Sequence, residues 1–450
     1  MSPNADHDCA YSPNRGLRYL FIDFNAYFAG VEQHDHPELR GRPVVVAPLA
    51  SEHTGAIAVS YEARPYGIRR GTSIAEARKL CPGIAVHQAR HDRYVVVHKQ
   101  LMAEIERHLP LVKTYSIDEA VFRLNGSEAG PEAALKIARA VKRGIAENVG
   151  PALRSSIGLA PSRLLAKLAA ESQKPDGLTV LRAEDLPDKL VDMPLTDIPG
   201  VGSGVAERLR RAGVKDFLSL WRLQPKQARA IWNSVQGERF CYALHGYEVD
   251  EPEPKKSMIG HSRVLSREHE HPDAARIVAR ALLLKAASRL RHHGLYASTL
   301  SVGVRLRPEG GWEAARRLPF SQNSFRFLKS LDDIWKDFLG TQYRPRAHIR
   351  CGGVTVYLHG LAAQGDAKLG QMDLFAPPCE SDDRQARLWR AIDLINADPD
   401  QKFYRLGGQA AVKNGAHRYV TLARQQKLDL NYLGAKIAFS RIPEEAEFLY

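Results

Sequence analysis

Residues Arg18 to Phe24 read RYLFIDF, a run of strand-formers broken by a single carboxylate at Asp23. A charge in a buried strand is costly unless it is paired or bound to a metal, so Asp23 is at once a candidate site residue. Asn25 to Gln33 follows as a helix start. Residues 111–124, LVKTYSIDEAVFRL, read as two short strands around the acidic dipeptide Asp118-Glu119. An antiparallel neighbour would bring Asp23, Asp118 and Glu119 together at the edge of a sheet. Three carboxylates at one locus repel each other and need divalent cations to coexist. Hard oxygen ligands suit Mg²⁺, and a two-metal arrangement suits in-line displacement at phosphorus. On spacing alone, a turn with a solvated Asp-Glu pair would account for the same residues.

Outward from these stretches, RPVVVA at residues 42–47 reads as a second strand. Gly55 to Tyr61 leads through EARPYGIRRG into an Ala-rich helical stretch ending at Leu80. Residues 94–109 read as a helix, and Glu132 to Val149 as another, with Ala134, Ile137, Ala138, Val141 and Ile145 on one face. Leu153 to Leu159 alternates as a strand, and Ser162 to Ser172 is a helix ending before Lys174-Pro175. This mixture predicts a layered α+β domain. Beyond residue 181 the pattern turns mainly helical. Pro194 to Phe217, PLTDIPGVGSGVAERLRRAGVKDF, reads as a helix-hairpin-helix element. Gly200 and Gly202 let its backbone turn tightly and approach a phosphate, and the next helix N-terminus favours an anion. Glu248 to Lys256, EVDEPEPKK, reads as a linker. A basic helix at Ala274–His292 and strands at Thr299–Leu306 and Gly353–Leu358 predict a second, smaller α+β domain.

The chain has 450 residues, 44% hydrophobic and 26% charged, which is ordinary globular composition with room for about three domains. No run approaches the roughly 18 to 20 apolar residues of a membrane span, so no membrane association is expected. The first residues carry no apolar signal core, so export is not expected and a cytoplasmic setting is. The five cysteines form no C-x-x-C pair, which argues against a zinc site or a disulfide framework. The net charge is +13, and it is unevenly placed. Residues 258–360 hold 17 Lys and Arg against 8 Asp and Glu, a net +9, whereas residues 361–450 are neutral. The basic block reads as a face that tracks phosphates.

The stretches FIDFNAYFAGVE, AVSYEARPYGIRRG, CPG, YSIDEA and IGLAPSRLLAKLAAESQKPDG occur in this order. Together they resemble the Y-family translesion DNA polymerases of the DinB/UmuC type. The resemblance runs from about Arg18 to Asp216 and more loosely to about residue 360. It implies an α+β multidomain, right-hand polymerase. The flexible N-terminus would be 1–15, the palm 16–36 and 92–180, and the fingers 37–91. A helix-hairpin-helix thumb would span 181–247, a linker 248–257, the little finger 258–360, and a C-terminal tail 361–450. The implied activity is error-prone DNA-dependent DNA synthesis past damaged template bases, on primer-template DNA with deoxynucleoside triphosphates.

In that family the palm holds two Mg²⁺ ions, and Asp23, Asp118 and Glu119 match their carboxylates. The Phe24 carbonyl would complete one metal shell. Tyr61, Arg64 and Lys174 match the triphosphate contacts, with a fork from Arg, a point charge from Lys and a hydroxyl from Tyr. Phe28 falls at the steric-gate position, where an aromatic ring would exclude a 2′-hydroxyl, and Tyr27 is its alternative. Asn25 replaces an acidic residue of many members and is left out of the metal set. The segment before Tyr61 is one residue short, and a hydroxyl for the phosphates is missing there unless Ser60 supplies it. QMDLF, residues 371–375, resembles the peptide by which bacterial polymerases bind the sliding clamp, with Gln371 as polar anchor and Leu374 and Phe375 filling a pocket. The tail from Asp382 resembles UmuC-type proteins and implies a UmuD-type accessory subunit. A catalytically inactive, polymerase-like scaffold that recruits partners to the clamp is the competing reading, and the presence of all three carboxylates argues against it.

Overall fold

The structure is a computed structural model that describes residues 11–13, 16–48, 51–250, 256–342, 348–366, 385 and 387–393. Two compact units separate within these, residues 11–250 and residues 256–393.

The first unit begins with β1 (Tyr11–Pro13), β2 (Tyr19–Phe24), α1 (Tyr27–Asp35), β3 (Val44–Ala47) and β4 (Ala58–Val59). It continues with α2 (Ile74–Leu80), β5 (Ala85–Gln88), α3 (His91–Glu106), β6 (Leu111–Thr114), β7 (Glu119–Arg123) and α4 (Pro131–Gly144). Next come β8 (Ser155–Ala160), α5 (Arg163–Ser172) and β9 (Leu178–Val180). The helices α6 (Ser203–Arg211), α7 (Phe217–Trp221), α8 (Pro225–Trp232) and α9 (Val235–Leu244) follow, and β10 (Tyr247–Val249) closes the unit.

Its centre is a five-stranded sheet in the order β6-β7-β2-β8-β9. β2 lies in the middle, which explains why the run at Arg18–Phe24 is apolar at nearly every position: all six residues of the strand are buried. It is antiparallel to both neighbours, with Asp23 opposite Glu119 on one side and Ser156 on the other. Side chains alternate along a strand, so Tyr19, Phe21 and Asp23 share one face. Tyr19 and Phe21 join a core with Leu165, Leu168 and Ala169 of α5 and with Leu209 and Phe217 of the helices beyond. α5 can lie close on β8 because residue 158 is glycine; a Cβ there would meet the Ala166 carbonyl oxygen at 2.0 Å.

A smaller sheet, β4-β3-β5, sits beside this one. α2 crosses between the parallel strands β3 and β5 and buries Ile74 and Ala77 against Val45 and Val59. β1 lies inside the stretch expected to be flexible, yet Tyr11–Pro13 pairs antiparallel with Tyr247–Val249. An edge strand offers unpaired backbone groups, and here the chain's own early residues use them. Cys81, Cys241 and Cys351 are buried free thiols, and burial pushes the Cys241 thiol up to about 12.

The second unit is built from β11 (Met258–Val264), α10 (Pro272–His292), β12 (Leu295–Leu306), β13 (Gly311–Ser321), α11 (Ser324–Gly340) and β14 (Cys351–Ala363). Its sheet runs β11-β14-β12-β13 and is antiparallel throughout. Leu300, Val302, Val354 and Val356 face the two helices in one core with Leu282, Ala286, Leu331 and Trp335. The opposite face carries Ser301, Arg305, Thr355, Tyr357 and His359, as the two-residue period requires. This unit extends past residue 360. β14 runs to Ala363, and the helical residues 387–393 pack against α10 and α11, with Trp389 buried against Phe325 at 5.0 Å between ring centroids. Arg291, itself buried, makes a two-pronged ion pair with Asp393 at 2.5 and 2.8 Å. No helix among the described residues is long and apolar enough to cross a membrane. Gln371, Leu374, Phe375, Cys9 and Cys379 lie outside the described residues.

Candidate active site

The register of the central sheet builds the site. Asp23 is the last residue but one of β2 and Glu119 begins β7, and the two are direct cross-strand partners on the α5 face. Asp118 occupies the turn before β7, and its carbonyl accepts the Phe24 N–H at 2.8 Å. Ser116 Oγ donates to Asp118 Oδ1 at 2.5 Å, so the turn's own hydroxyl orients the carboxylate. The three expected carboxylates thus meet at one end of the sheet. α5 adds a fourth that the sequence reading did not include: Asp23, Glu119 and Glu171 each present an oxygen within 4.8 Å of the others. The missed signal was the i,i+4 spacing of Lys167 and Glu171 in LLAKLAAES, one helical face aimed at the strand ends.

Two lysines offset the negative charge. Lys174 Nζ lies 2.6 Å from Asp23 Oδ2, and Lys167 Nζ lies 2.7 and 2.9 Å from the two oxygens of Glu119. Burial pushes the Asp23 carboxyl up to about 6, the neighbouring Asp118 and Glu119 charges add to this, and Lys174 opposes it. Burial raises the Asp118 and Glu171 carboxyls as well. For Lys174, burial disfavours the charge, but Asp23 more than offsets it and holds the ammonium above its usual range. A locus that raises several carboxyl pKa values by desolvation is one that a divalent cation would stabilise.

A cleft of about 600 Å³ opens beside the carboxylates. Asp23, Phe24, Asp118, Tyr27, Phe28, Tyr61, Arg64 and Lys174 all line it. Of the residues expected to hold metal and nucleotide, Glu119 alone does not line it; its carboxylate is bonded to Lys167 of α5. The Arg64 guanidinium lies 3.6 Å over the Tyr61 ring, which fixes both on a single 3₁₀ turn, Tyr61–Tyr66. Arg69 and Arg70 line the cleft too, and the sequence reading assigned them nothing. Phe28 is buried and stacks on Tyr94 at 4.3 Å with an interplanar angle of 15°. The Tyr27 hydroxyl donates to the Tyr94 carbonyl at 2.6 Å. Ala26, between β2 and α1, has φ of 49°, a left-handed conformation that costs a non-glycine residue about 1 kcal/mol or more.

Two departures from the family pattern find their explanation here. The Asn25 amide donates to Ser156 Oγ at 3.1 Å and its oxygen accepts the Asp176 N–H at 2.7 Å. Asn25 therefore pins the loop that carries Lys174. Ser60 is buried, and its hydroxyl accepts the Val44 N–H at 3.1 Å, so that oxygen serves β3. Farther along the chain, Gly200 takes φ of 93°, a left-handed turn open to glycine, and Gly202 caps α6 at its N-terminus.

The model of the impB/mucB/samB family matches residues 22–171, and that of the family's C-terminal domain matches residues 256–374. A DNA polymerase IV of Moorella thermoacetica is 33% identical over 386 residues, covering 84% of this chain and 92% of that protein. A DNA polymerase IV of Halorhodospira halophila is 33% identical over 292 residues, covering 64% of this chain and 81% of that protein. Among solved structures, a chimeric Y-family DNA polymerase joining Dbh and Dpo4 superposes with a TM-score of 0.64 at 21% identity, over 77% of this chain and 99% of that one. The Dbh DNA polymerase in an insertion ternary complex gives 0.51 at 22% identity, with the same coverage. These structures share the fold.

Proposed function

Since the chain belongs to the impB/mucB/samB family, the Y-family DNA polymerases, we propose that its carboxylate cluster and cleft carry out template-directed nucleotidyl transfer. The protein is a DNA-directed DNA polymerase of DinB type that performs translesion synthesis. The observation that carries the reading is the register of β2 against β7, which sets Asp23 opposite Glu119 beside a cleft large enough for a nucleotide. The scaffold alternative loses ground to the same geometry, because every acidic group the chemistry needs is present.

Asp23, Asp118 and Glu119, with the Phe24 carbonyl, would hold two Mg²⁺ ions. When bound, the ions lower the pKa of the primer 3′-hydroxyl and neutralise charge on the leaving pyrophosphate. The chain's own side chains do the rest. Tyr61, Arg64 and Lys174 lie where a triphosphate would meet a hydroxyl, a planar fork and a point charge. Lys174 has a flexible stem, so it can exchange Asp23 for phosphate oxygens as the nucleotide arrives. Phe28 presents a ring, stiffened by Tyr94, on which a 2′-hydroxyl would clash.

The proposal assigns the five-stranded sheet to the palm, the β4-β3-β5 sheet to the fingers and α6–α9 to the thumb. Gly200 and Gly202 open a backbone contact to a DNA phosphate. The second unit would be the little finger, with Arg305 and Thr355 on the sheet face away from its helices donating to the duplex backbone. It also includes Gln371, Leu374 and Phe375 as a sliding-clamp peptide, a UmuD-type accessory subunit as partner, and a cytoplasmic, nucleoid-associated setting. Asp118→Ala with Glu119→Ala is expected to abolish Mg²⁺-dependent primer extension, while the affinity for primer-template stays within about twofold of wild type. Undiminished extension would remove these carboxylates from the mechanism.

A further inference from the structure

We propose that His98 is a positioning residue that fixes the peptide plane before Asp118 and so sets that carboxylate for divalent-cation binding. The inference rests on the reading of Asp23, Asp118 and Glu119 as the metal site.

His98 lies mid-helix in α3 and is 3% exposed. Its Nδ1 is 2.8 Å from the carbonyl oxygen of Ile117, a residue that is 1% exposed. A carbonyl can only accept, so Nδ1 carries the proton and donates. Burial pushes the imidazole down to about 4, so the ring is neutral at working pH and its single proton is committed to this bond. The tautomer follows from the partner.

Within the acidic turn the Tyr115 and Ser116 N–H groups donate to the Glu119 carbonyl and the Asp118 N–H reaches Ser116 Oγ at 3.4 Å, and three further bonds hold it. The Phe24 N–H reaches the Asp118 carbonyl from β2. Ser116 holds the Asp118 carboxylate from within the turn. His98 holds the Ile117 carbonyl from the helix layer. The Ile117 carbonyl and the Asp118 N–H belong to one rigid peptide unit. Fixing that plane fixes the axis about which the Asp118 side chain can swing. Without the donor, a buried carbonyl loses its partner and the plane can rotate toward another. Partners one layer behind a metal ligand typically change metal affinity ten- to a hundredfold when removed.

The test is Mn²⁺ binding to the full-length protein by calorimetry, alongside the Mg²⁺ dependence of primer extension. His98→Leu keeps the volume but has no donor, and is expected to weaken Mn²⁺ about tenfold. The apparent Mg²⁺ requirement should rise by a similar factor, with kcat at saturating metal nearly unchanged. His98→Asn places an amide N–H close to the Nδ1 position and is expected to restore the affinity to within about twofold. A folded His98→Leu protein with wild-type Mn²⁺ affinity overturns the proposal, and so does an Asn variant as weak as the Leu variant. If the Leu variant fails to fold, His98→Gln, whose donor lies one methylene farther out, should bind Mn²⁺ several-fold more weakly than the Asn variant; equal affinities overturn the proposal. Asp118→Asn separates the two levels. If it binds Mn²⁺ like wild type, the metal-site reading itself fails; if it is weak while every His98 variant is normal, only the role of His98 fails.

Discussion

Phe28 owes its orientation to residues that never face the cleft. Its ring stacks on Tyr94, whose hydroxyl donates to Glu32 at 2.7 Å. Glu32 in turn takes two bonds from Arg90, at 2.7 and 3.1 Å, and its side chain is fully buried. In the proposed role of sugar gate, a ring held this way would not retreat from a ribose. Phe28→Ala is therefore expected to raise ribonucleotide incorporation about ten- to a hundredfold relative to deoxynucleotide, measured as a ratio of kcat/KM values. Tyr27 is the other aromatic residue at this position, but its hydroxyl is committed to the Tyr94 backbone. An unchanged ratio in the Phe28 variant would move the sugar gate to Tyr27.

At the level of elements, α3 ties pH to stability. The native state holds His98 at about 4, below the ordinary histidine value of about 6.5, so the unfolded chain binds the proton more readily. The stabilisation is complete above pH 6.5 and is lost as pH falls from about 6.5 to about 4, by up to about 3 kcal/mol. The raised Asp23 carboxyl acts with the opposite sign in the same window, so chemical denaturation should show the His98 contribution as the difference between wild type and His98→Leu, which shifts in the variant's favour as pH falls. Much of this layer was legible from composition. RYLFIDF reads as a buried strand because a central strand is covered on both faces, and YSIDEA reads as a turn because two strand-like runs flank it. Strand register was not legible: that Asp23 faces Glu119 depends on long-range pairing, which no local pattern encodes. Glu171 was hidden for the same reason. It looks like one solvated position on an amphipathic helix until the strand ends beneath it are known. The uses of Asn25 and Ser60 likewise became visible only with their partners, Asp176 and Val44.

At the scale of the whole molecule, the sequence pointed to two α+β bodies joined by a Pro- and charge-rich linker, and two compact units are found. It did not reveal that residues 387–393 belong to the second of them. Trp389 reads as one aromatic in a polar stretch, and its partner Phe325 lies 64 residues away in sequence. A chain ending at residue 384 would leave the buried Arg291 without Asp393 and would uncover Phe325. The second unit is then expected to lose on the order of 3 kcal/mol, seen as a lower midpoint in its thermal unfolding. Replacing Asp393 by Asn in the full chain should reproduce part of that loss. The pairing of β1 with β10 has a mechanical meaning. Glu248, on β10, is bonded to the Tyr19 hydroxyl at 2.6 Å and to Arg123 at 2.7 Å. Tension arriving along the chain from beyond Asp250 is thus delivered to the central sheet at Tyr19 and Arg123. Those residues lie at the opposite ends of β2 and β7 from Asp23 and Glu119. A load entering there meets the sheet at its far rim and is shared by the β1–β10 pairing, at the strand ends remote from the carboxylates.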